Sequence, residues 1–255
     1  MDTVLYDGSY EGLFTAFFAV YEYKLPDAHI HVEGHADVSL FGKVHIVVTD
    51  KMKSLRVYKK LEEKLSRKSM QQLYKAYLSG DKDIENTMLR YIQYVIASKN
   101  SVETNYGHPD VLFIQQLSRK VDREKHRMEA FIRFQLTKDQ LYFAIIQPDY
   151  NVIPLISNHF EKRYADQRWF IYDSRRKYGI YYNLETVEEV EMSFSADLNN
   201  KHGIALLCDE QEELYQKLWQ QYFTSVNIAA RKNMKLHIQH MPRRYWRFLT
   251  EKKIM

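Results

Sequence analysis

The period of the apolar positions changes several times along the chain. TVLY (3–6) is a short apolar run that stops at Asp7-Gly8, a turn pair, and predicts a strand. Ser9 stands where a helix N-cap belongs, ahead of a segment running to about Tyr23. Leu13, Phe17, Val20 and Tyr21 mark one face of that helix; Phe14 and Phe18 widen it, so most of its surface should be buried. After an irregular stretch at 27–43, VHIVVT (44–49) reads as a second strand. Thr49 is placed to cap a charged helix through about Leu65. Ser69–Ser79, closed by Gly80, and Ile84–Ala97 complete a run of helices.

SKNSVETNYGHPD (98–110) is polar and carries Gly107 and Pro109. The chain is therefore expected to form one continuous unit over 1–255, with a lobe boundary near 98–110. A mainly helical lobe (1–100) precedes an α+β lobe (110–255). A long helix at roughly 110–129 leads into FIRFQLT (131–137), which LYFAIIQP (141–148) answers as a hairpin partner. Residues 153–165 are helical, with Pro154 in the first turn, and WFIYDSRRKYGIYYN (169–183) reads as a second hairpin. Two hairpins, about 131–148 and 169–183, predict an antiparallel sheet packed with helices, hence the α+β class. An acidic, weakly patterned stretch at 185–202 follows, then a helix at 211–228 and a basic tail.

Composition narrows the function classes. Among 255 residues there is a single cysteine, Cys208, which excludes an internal disulfide and an all-cysteine metal site, and fits a reducing compartment. The first residues lack the basic and apolar regions of a signal peptide, and no run approaches the ~20 apolar residues of a membrane span. A cytoplasmic protein without a membrane partner is expected. The net charge of +4 is unevenly placed. From Arg231 onward, eight basic residues face one acid, Glu251, so the rest of the chain is slightly acidic. No phosphate loop, dinucleotide fingerprint, nucleophile elbow or His-Glu-x-x-His motif occurs.

The richest segment is SRKVDREKHRMEAFIRF (118–134). On a helix, Ile114, Leu117, Val121 and Met128 form a buried seam, while Arg119, Arg123 and Arg127 recur at four-residue spacing opposite it, with His126 beside them. Such a row suits successive phosphates, or forms a solvated face paired with Asp122 and Glu124. Glu124 falls at the edge of the seam, where a carboxylate must be paired or protonated. It is a candidate for either a salt bridge or acid–base work. His159 and Arg163 share a helix face and, with Asp173, Arg175 and Arg176, could form a second polar cluster. In MPRRYWRFLTEK (241–252), Arg243, Arg244 and Arg247 alternate with Tyr245, Trp246 and Phe248. This mixture either stacks on unpaired bases and holds phosphate, or docks its rings while its arginines point outward. His29, His31 and His35 alternate but lack a fourth ligand, so no metal is expected.

YDGSYEGLFTA, KVDREKHRMEAFIRF, LYFAIIQPDYNVIPLISNHFEKRY, WFIYD and MPRRYWRFLTE occur in that order. Together they resemble the bacterial family described as probable DNA metabolism proteins, a domain of unknown function. Members of that family are associated with a radical-SAM protein of DNA modification or repair and, in other architectures, are fused to a uracil-DNA glycosylase. The resemblance covers nearly the whole chain. It falls on Asp7, Gly8, Ser9, Arg123, Glu124, His126, Arg127, Phe131, Arg133, His159, Arg163, Trp169, Asp173, Pro242, Arg243, Tyr245 and Trp246, and assigns none of them a catalytic step. An asparagine-proline pair expected after Arg231 is Asn233-Met234 here. With one cysteine, this chain has too few thiolates for a radical-SAM cluster, so the iron–sulfur cluster and SAM are expected on the partner.

The expected role is a DNA-binding accessory protein acting with that partner. Arg119, Arg123, Arg127, Arg133, Arg163, Arg243 and Arg244 would hold the backbone, and Tyr245 or Trp246 would stack on a base. Two alternatives remain. One is a metal-independent enzyme acting on damaged nucleotides, with Glu124, His126, His159 or Asp173 as acid or base. The other is a protein-only scaffold for the radical-SAM protein.

Overall fold

The computed structural model describes residues 2–34, 42–191, 209, 212–225 and 233–252. His35 and Cys208, and the ends of the helix expected over 211–228, lie outside the described residues. The chain divides into two compact units, residues 1–122 and 123–255.

In the first unit, β1 (Thr3–Tyr6) is the centre of a parallel three-stranded sheet, between β2 (His29–Val32) and β3 (Val44–Ile46). β2 lies within the stretch expected to be irregular. HIHV is too short and too polar to stand out by pattern, and gains its conformation from pairing with β1. Helix α1 (Tyr10–Glu22) starts where expected: the Ser9 hydroxyl accepts the Gly12 N–H. A Cβ at Gly12 would lie 2.1 Å from the Asp7 carboxylate, so a larger residue there would displace the Asp7 side chain. Helices α2 (Lys51–Glu62), α3 (Arg67–Leu78) and α4 (Ile84–Ala97) follow. The α2 cap is Asp50 rather than Thr49, because the Asp50 carboxylate accepts both the Met52 and Lys53 N–H groups. Leu13, Phe14 and Phe17 of α1, with Ile30, Leu61, Leu73, Met88 and Ile92, form the core of this unit.

Helix α5 (Pro109–Phe131) enters the second unit at Arg123. The five-stranded sheet there runs in the order β4 (Gln135–Leu136), β5 (Tyr142–Ile146), β6 (Trp169–Asp173), β7 (Tyr178–Tyr182), β8 (Val187–Glu191). The α+β class holds, but the sheet is mixed rather than antiparallel. β5 and β6 are parallel, because α6 (Ile153–Arg163) carries the chain back between them. The first expected hairpin shrinks to the two-residue β4, since α5 extends through Phe131 and takes up the start of the predicted strand. The second hairpin, β6–β7, forms as expected. Gly179 sits opposite Tyr172 because a Cβ would approach the Ile171 carbonyl to 2.3 Å. β8 (VEEVE) is an added edge strand in the acidic stretch, and charge along an edge discourages pairing with other chains.

Alternation along β6 divides the apolar residues between the sheet's two faces. Trp169 packs near Phe160 of α6 and stacks on Tyr182, whereas Phe170 and Tyr172 cluster with Phe143. The chain continues into α7 (Glu212–Ser225) and α8 (Met234–His240), then two short 3-10 turns at Arg243–Phe248 and Thr250–Lys252. Asn233 caps α8 by accepting the Leu236 N–H, so the departure from the asparagine-proline pattern leaves a capped helix start. No helix among the described residues is long and apolar enough to cross a membrane.

Candidate functional site

The second unit contains two polar assemblies built on successive turns of α5. Glu124 organises the first. Its side chain is 1% exposed, and one oxygen accepts the Asp149 N–H at 2.9 Å. The other accepts the Tyr245 hydroxyl and lies 2.9 Å from Arg244, with Arg127 at 3.7 Å. Arg244 also reaches the Asp149 carboxylate at 2.9 Å. A buried carboxylate surrounded by this many donors is a structural hub, so of the two roles open to Glu124 the salt bridge is the one formed. Tyr245 is 2% exposed, and burial together with its bond to Glu124 pushes its phenol pKa well up. Its expected stacking on a base is therefore corrected: Tyr245 docks the tail. Arg244 is ion-paired to Glu124 and Asp149 but stays exposed, as do Arg243 and Arg247. Trp246 is half-buried, donating to the Met241 carbonyl at 3.0 Å, with Arg243 and Lys252 over its ring.

Asp173 is likewise placed by local folding. It is fully buried at the end of β6, where it accepts the Arg175 and Arg176 N–H groups and the Arg176 guanidinium at 2.8 Å. Arg176 continues to the Pro148 and Asp149 carbonyls. Asp173 therefore holds the β6–β7 turn against the residues after β5. The structure gives it a turn-fixing role, and it lines neither of the cavities that His159 lines.

The second assembly is a groove of about 1060 Å³ between the end of α5, α6, α7 and the strands β4 and β5. His126, Glu129 and Ala130 supply the α5 wall; His159, Phe160, Arg163 and Tyr164 supply the α6 wall; Tyr215, Leu218 and Trp219 supply the α7 wall. Tyr142 and Phe134 also line it. The α7 wall is fixed at its first residue and at its middle. The Leu136 N–H of β4 donates to Glu212 at 3.0 Å, and the Trp219 indole donates to Glu251 at 3.0 Å. Glu251 also pairs with Arg133 at 2.8 Å, and the guanidinium lies over the Trp219 ring. Burial would raise the Glu251 carboxyl, but its own backbone N–H, Arg133 and Trp219 outweigh that and hold it below the usual carboxylate range. Arg133 is thus engaged with Glu251 and with the Ala130 and Ile132 carbonyls, while Arg163 is exposed.

His159 lies with Nδ1 4.0 Å from Glu129, which is itself paired with Lys125 at 3.1 Å. The His159 Nε2 is buried with no hydrogen-bond partner among the described residues. His126 is exposed at the groove wall. Of the predicted residues, the groove gathers His126, Arg133, His159 and Arg163 and leaves out Glu124, Asp173, Arg243, Arg244, Tyr245 and Trp246. Arg119 and Arg123 are exposed on α5, whereas Arg127 leans to Glu124. Glu129, Tyr142 and Trp219 were not singled out in the sequence. Glu129 could have been, since it lies three residues after His126 and four before Arg133.

In the first unit, the YDGS turn is also held together internally. Asp7 accepts the Ser9 N–H and hydroxyl and the Thr49 hydroxyl, and these bonds outweigh partial burial to keep its carboxyl below the usual range. Among the described residues no group of three His, Cys, Asp or Glu side chains could hold a metal ion.

Residues 82–251 match the domain of unknown function DUF4130. The chain belongs to that family. The match takes in α5, the groove and the Glu124 hub, and begins after β1 and the YDGS turn. Among solved structures, the pGpG-specific phosphodiesterase PggH from Vibrio cholerae is similar to this DUF4130 chain with a TM-score of 0.36 and 10% identity. The likeness covers 89% of this chain and 99% of that one, and is too remote to carry a functional argument. No curated protein matches.

Proposed function

We propose that this chain is a DNA-binding accessory protein of DNA repair or modification, and that its groove receives an unpaired nucleotide. The observation that carries the reading is the groove's lining. Aromatic side chains (Tyr142, Tyr164, Trp219) stand beside Arg163, His126 and His159 in a cavity of about 1060 Å³. Aromatic planes stack on any base, worth about 1–3 kcal/mol per base, while cations meet the phosphate. Arg119, Arg123 and Arg243 are exposed and suited to further backbone contacts. The resemblance to DNA metabolism proteins supports a cytoplasmic setting with a radical-SAM partner, which would carry the iron–sulfur cluster and SAM and perform the chemistry.

A second reading has one observation in its favour. A histidine, His159, stands at the groove wall with Glu129 4.0 Å from its Nδ1, close enough to supply the acid–base group that a metal-independent enzyme acting on a damaged nucleotide would require.

Titration of labelled single-stranded, duplex and lesion-bearing DNA across a salt series tests the accessory role. Unpaired or lesion-bearing DNA should bind more tightly than intact duplex, with affinity falling as salt rises. Failure to bind any of the three, alone or with the radical-SAM protein present, overturns the reading and leaves the protein-only scaffold. Product formed from a lesion panel in a single turnover by the isolated chain would establish the enzyme.

A further inference from the structure

A smaller cavity of about 440 Å³ adjoins the groove. It shares Glu129, His159 and Arg163 with the groove and adds Lys125, Asn158 and Lys162 of its own. Its chemistry differs from the groove's. It has no aromatic ring apart from the shared imidazole, and Leu155 is its one apolar side chain among the described residues. Three permanent cations face a single carboxylate, and that carboxylate is already bonded to Lys125 at 3.1 Å. Lys162 is exposed and forms no ion pair among the described residues, so its ammonium is open to an incoming anion. An amide and an imidazole beside these cations complete a set of donors suited to phosphate oxygens.

We infer that this channel is a phosphodiester subsite, and that the ligand of the groove is a stretch of single-stranded DNA rather than a mononucleotide. The unpaired base occupies the aromatic groove, and the neighbouring phosphate crosses Arg163, the residue lining both cavities, to reach Lys162 and Lys125. This inference rests on the reading of the groove as a nucleotide site. It adds the direction in which the strand leaves: between α5 and α6, away from Trp219.

The test is the salt dependence of short oligo(dT) binding, measured by anisotropy for the wild-type chain, Lys125→Ala/Lys162→Ala, Lys125→Arg/Lys162→Arg and Trp219→Ala. Each phosphate contact on a single strand contributes about 0.7 to the log–log slope, so the double alanine variant should lose about 1.4 and bind more than roughly tenfold more weakly at about 0.1 M salt. The arginine pair should keep the slope, and Trp219→Ala should weaken binding without changing it. Lys162→Glu, at an exposed helix position, repeats the measurement should the double variant be unstable. An unchanged slope in both alanine and glutamate variants, with Trp219→Ala still weakened, overturns the channel and leaves the base site standing. Absence of oligo(dT) binding by the wild-type chain overturns both.

Discussion

Glu124 and Glu129 stand five residues apart on α5, about 140° around the helix, and meet opposite fates. Glu124 is enclosed by the Asp149 N–H, the Tyr245 hydroxyl and two guanidinium groups. Glu129 is partly exposed on a groove wall, with Lys125 at 3.1 Å and His159 at 4.0 Å. In the first cluster the buried carboxylate and phenol are both satisfied within the protein, and they hold the tail to the unit. The groove cluster keeps an imidazole nitrogen without a partner among the described residues, and exposed cations beside it, which is the condition of a site that binds something else. Chemical type therefore does not separate structural from functional carboxylates here. Saturation does.

The largest effect should come from breaking the saturated cluster. Glu124→Ala strands a buried phenol and leaves Arg244 without its buried partner, and should cost about 3–5 kcal/mol in urea unfolding. Glu129→Gln, on the groove, should cost under about 1 kcal/mol. If the two substitutions destabilise equally, the distinction between hub and groove is lost.

This contrast was only half legible in the sequence. The periodicity of α5 placed Glu124 at the edge of a buried seam, and so announced that it must be paired. The partner lies 121 residues away at Tyr245, and no local pattern encodes that pairing. The tail was read in two ways, and the structure divides it: Tyr245 and Leu249 are buried, and Arg243 and Arg247 face outward. Strand pairing was less legible. β5 and β6 each read as strands, but nothing in them says that the helix between them returns the chain in the same direction. β8 shows no period-two pattern, because its two valines, Val187 and Val190, are three residues apart and fall on opposite faces among three glutamates. Trp219 was invisible for another reason: the pattern of α7 predicts a helix but not which of its exposed residues borders a groove.

A smaller effect is expected where hub-like pairing reaches the groove, at Glu251. Its carboxyl is held below the ordinary range, so its ionised form favours the folded state. That stability is complete above the unfolded carboxylate value of about 4.3 and is lost as pH falls through the lower folded value. Glu251→Gln should remove this acid-sensitive component and destabilise by about 1–3 kcal/mol, because Arg133 keeps its burial without its charge partner. Trp219 fluorescence followed against pH checks it. Identical acid profiles for the wild-type chain and Glu251→Gln would show that the pair does not hold the α7 wall.

At the groove itself, Trp219→Ala should weaken single-stranded DNA binding by about 1–3 kcal/mol, the contribution of one stacked base. The unfolding midpoint should move less than it does for Glu124→Ala, since Trp219 is among the exposed large side chains. Loss of stability without loss of affinity would make the α7 wall part of the structural cluster.

The smallest effect belongs to Arg119 and Arg123, which share a row with Arg127 in the sequence but not its environment. Arg127 is 3.7 Å from Glu124, and its charge is partly matched inside the protein. Arg119 and Arg123 are exposed, so any phosphate they meet is met in water, where each contact is weak, independent of base sequence and screened by salt. The double change Arg119→Ala/Arg123→Ala should therefore leave stability within about 0.5 kcal/mol and reduce affinity for all DNA sequences alike. The salt slope should fall by about 0.7 per lost contact on a single strand. Arg127→Ala should do the reverse, disturbing the hub more than the slope. If Arg127→Ala flattens the slope as much as the outer pair does, the arginine row acts as one phosphate track, and the division of α5 into a structural and a binding face fails at its edge.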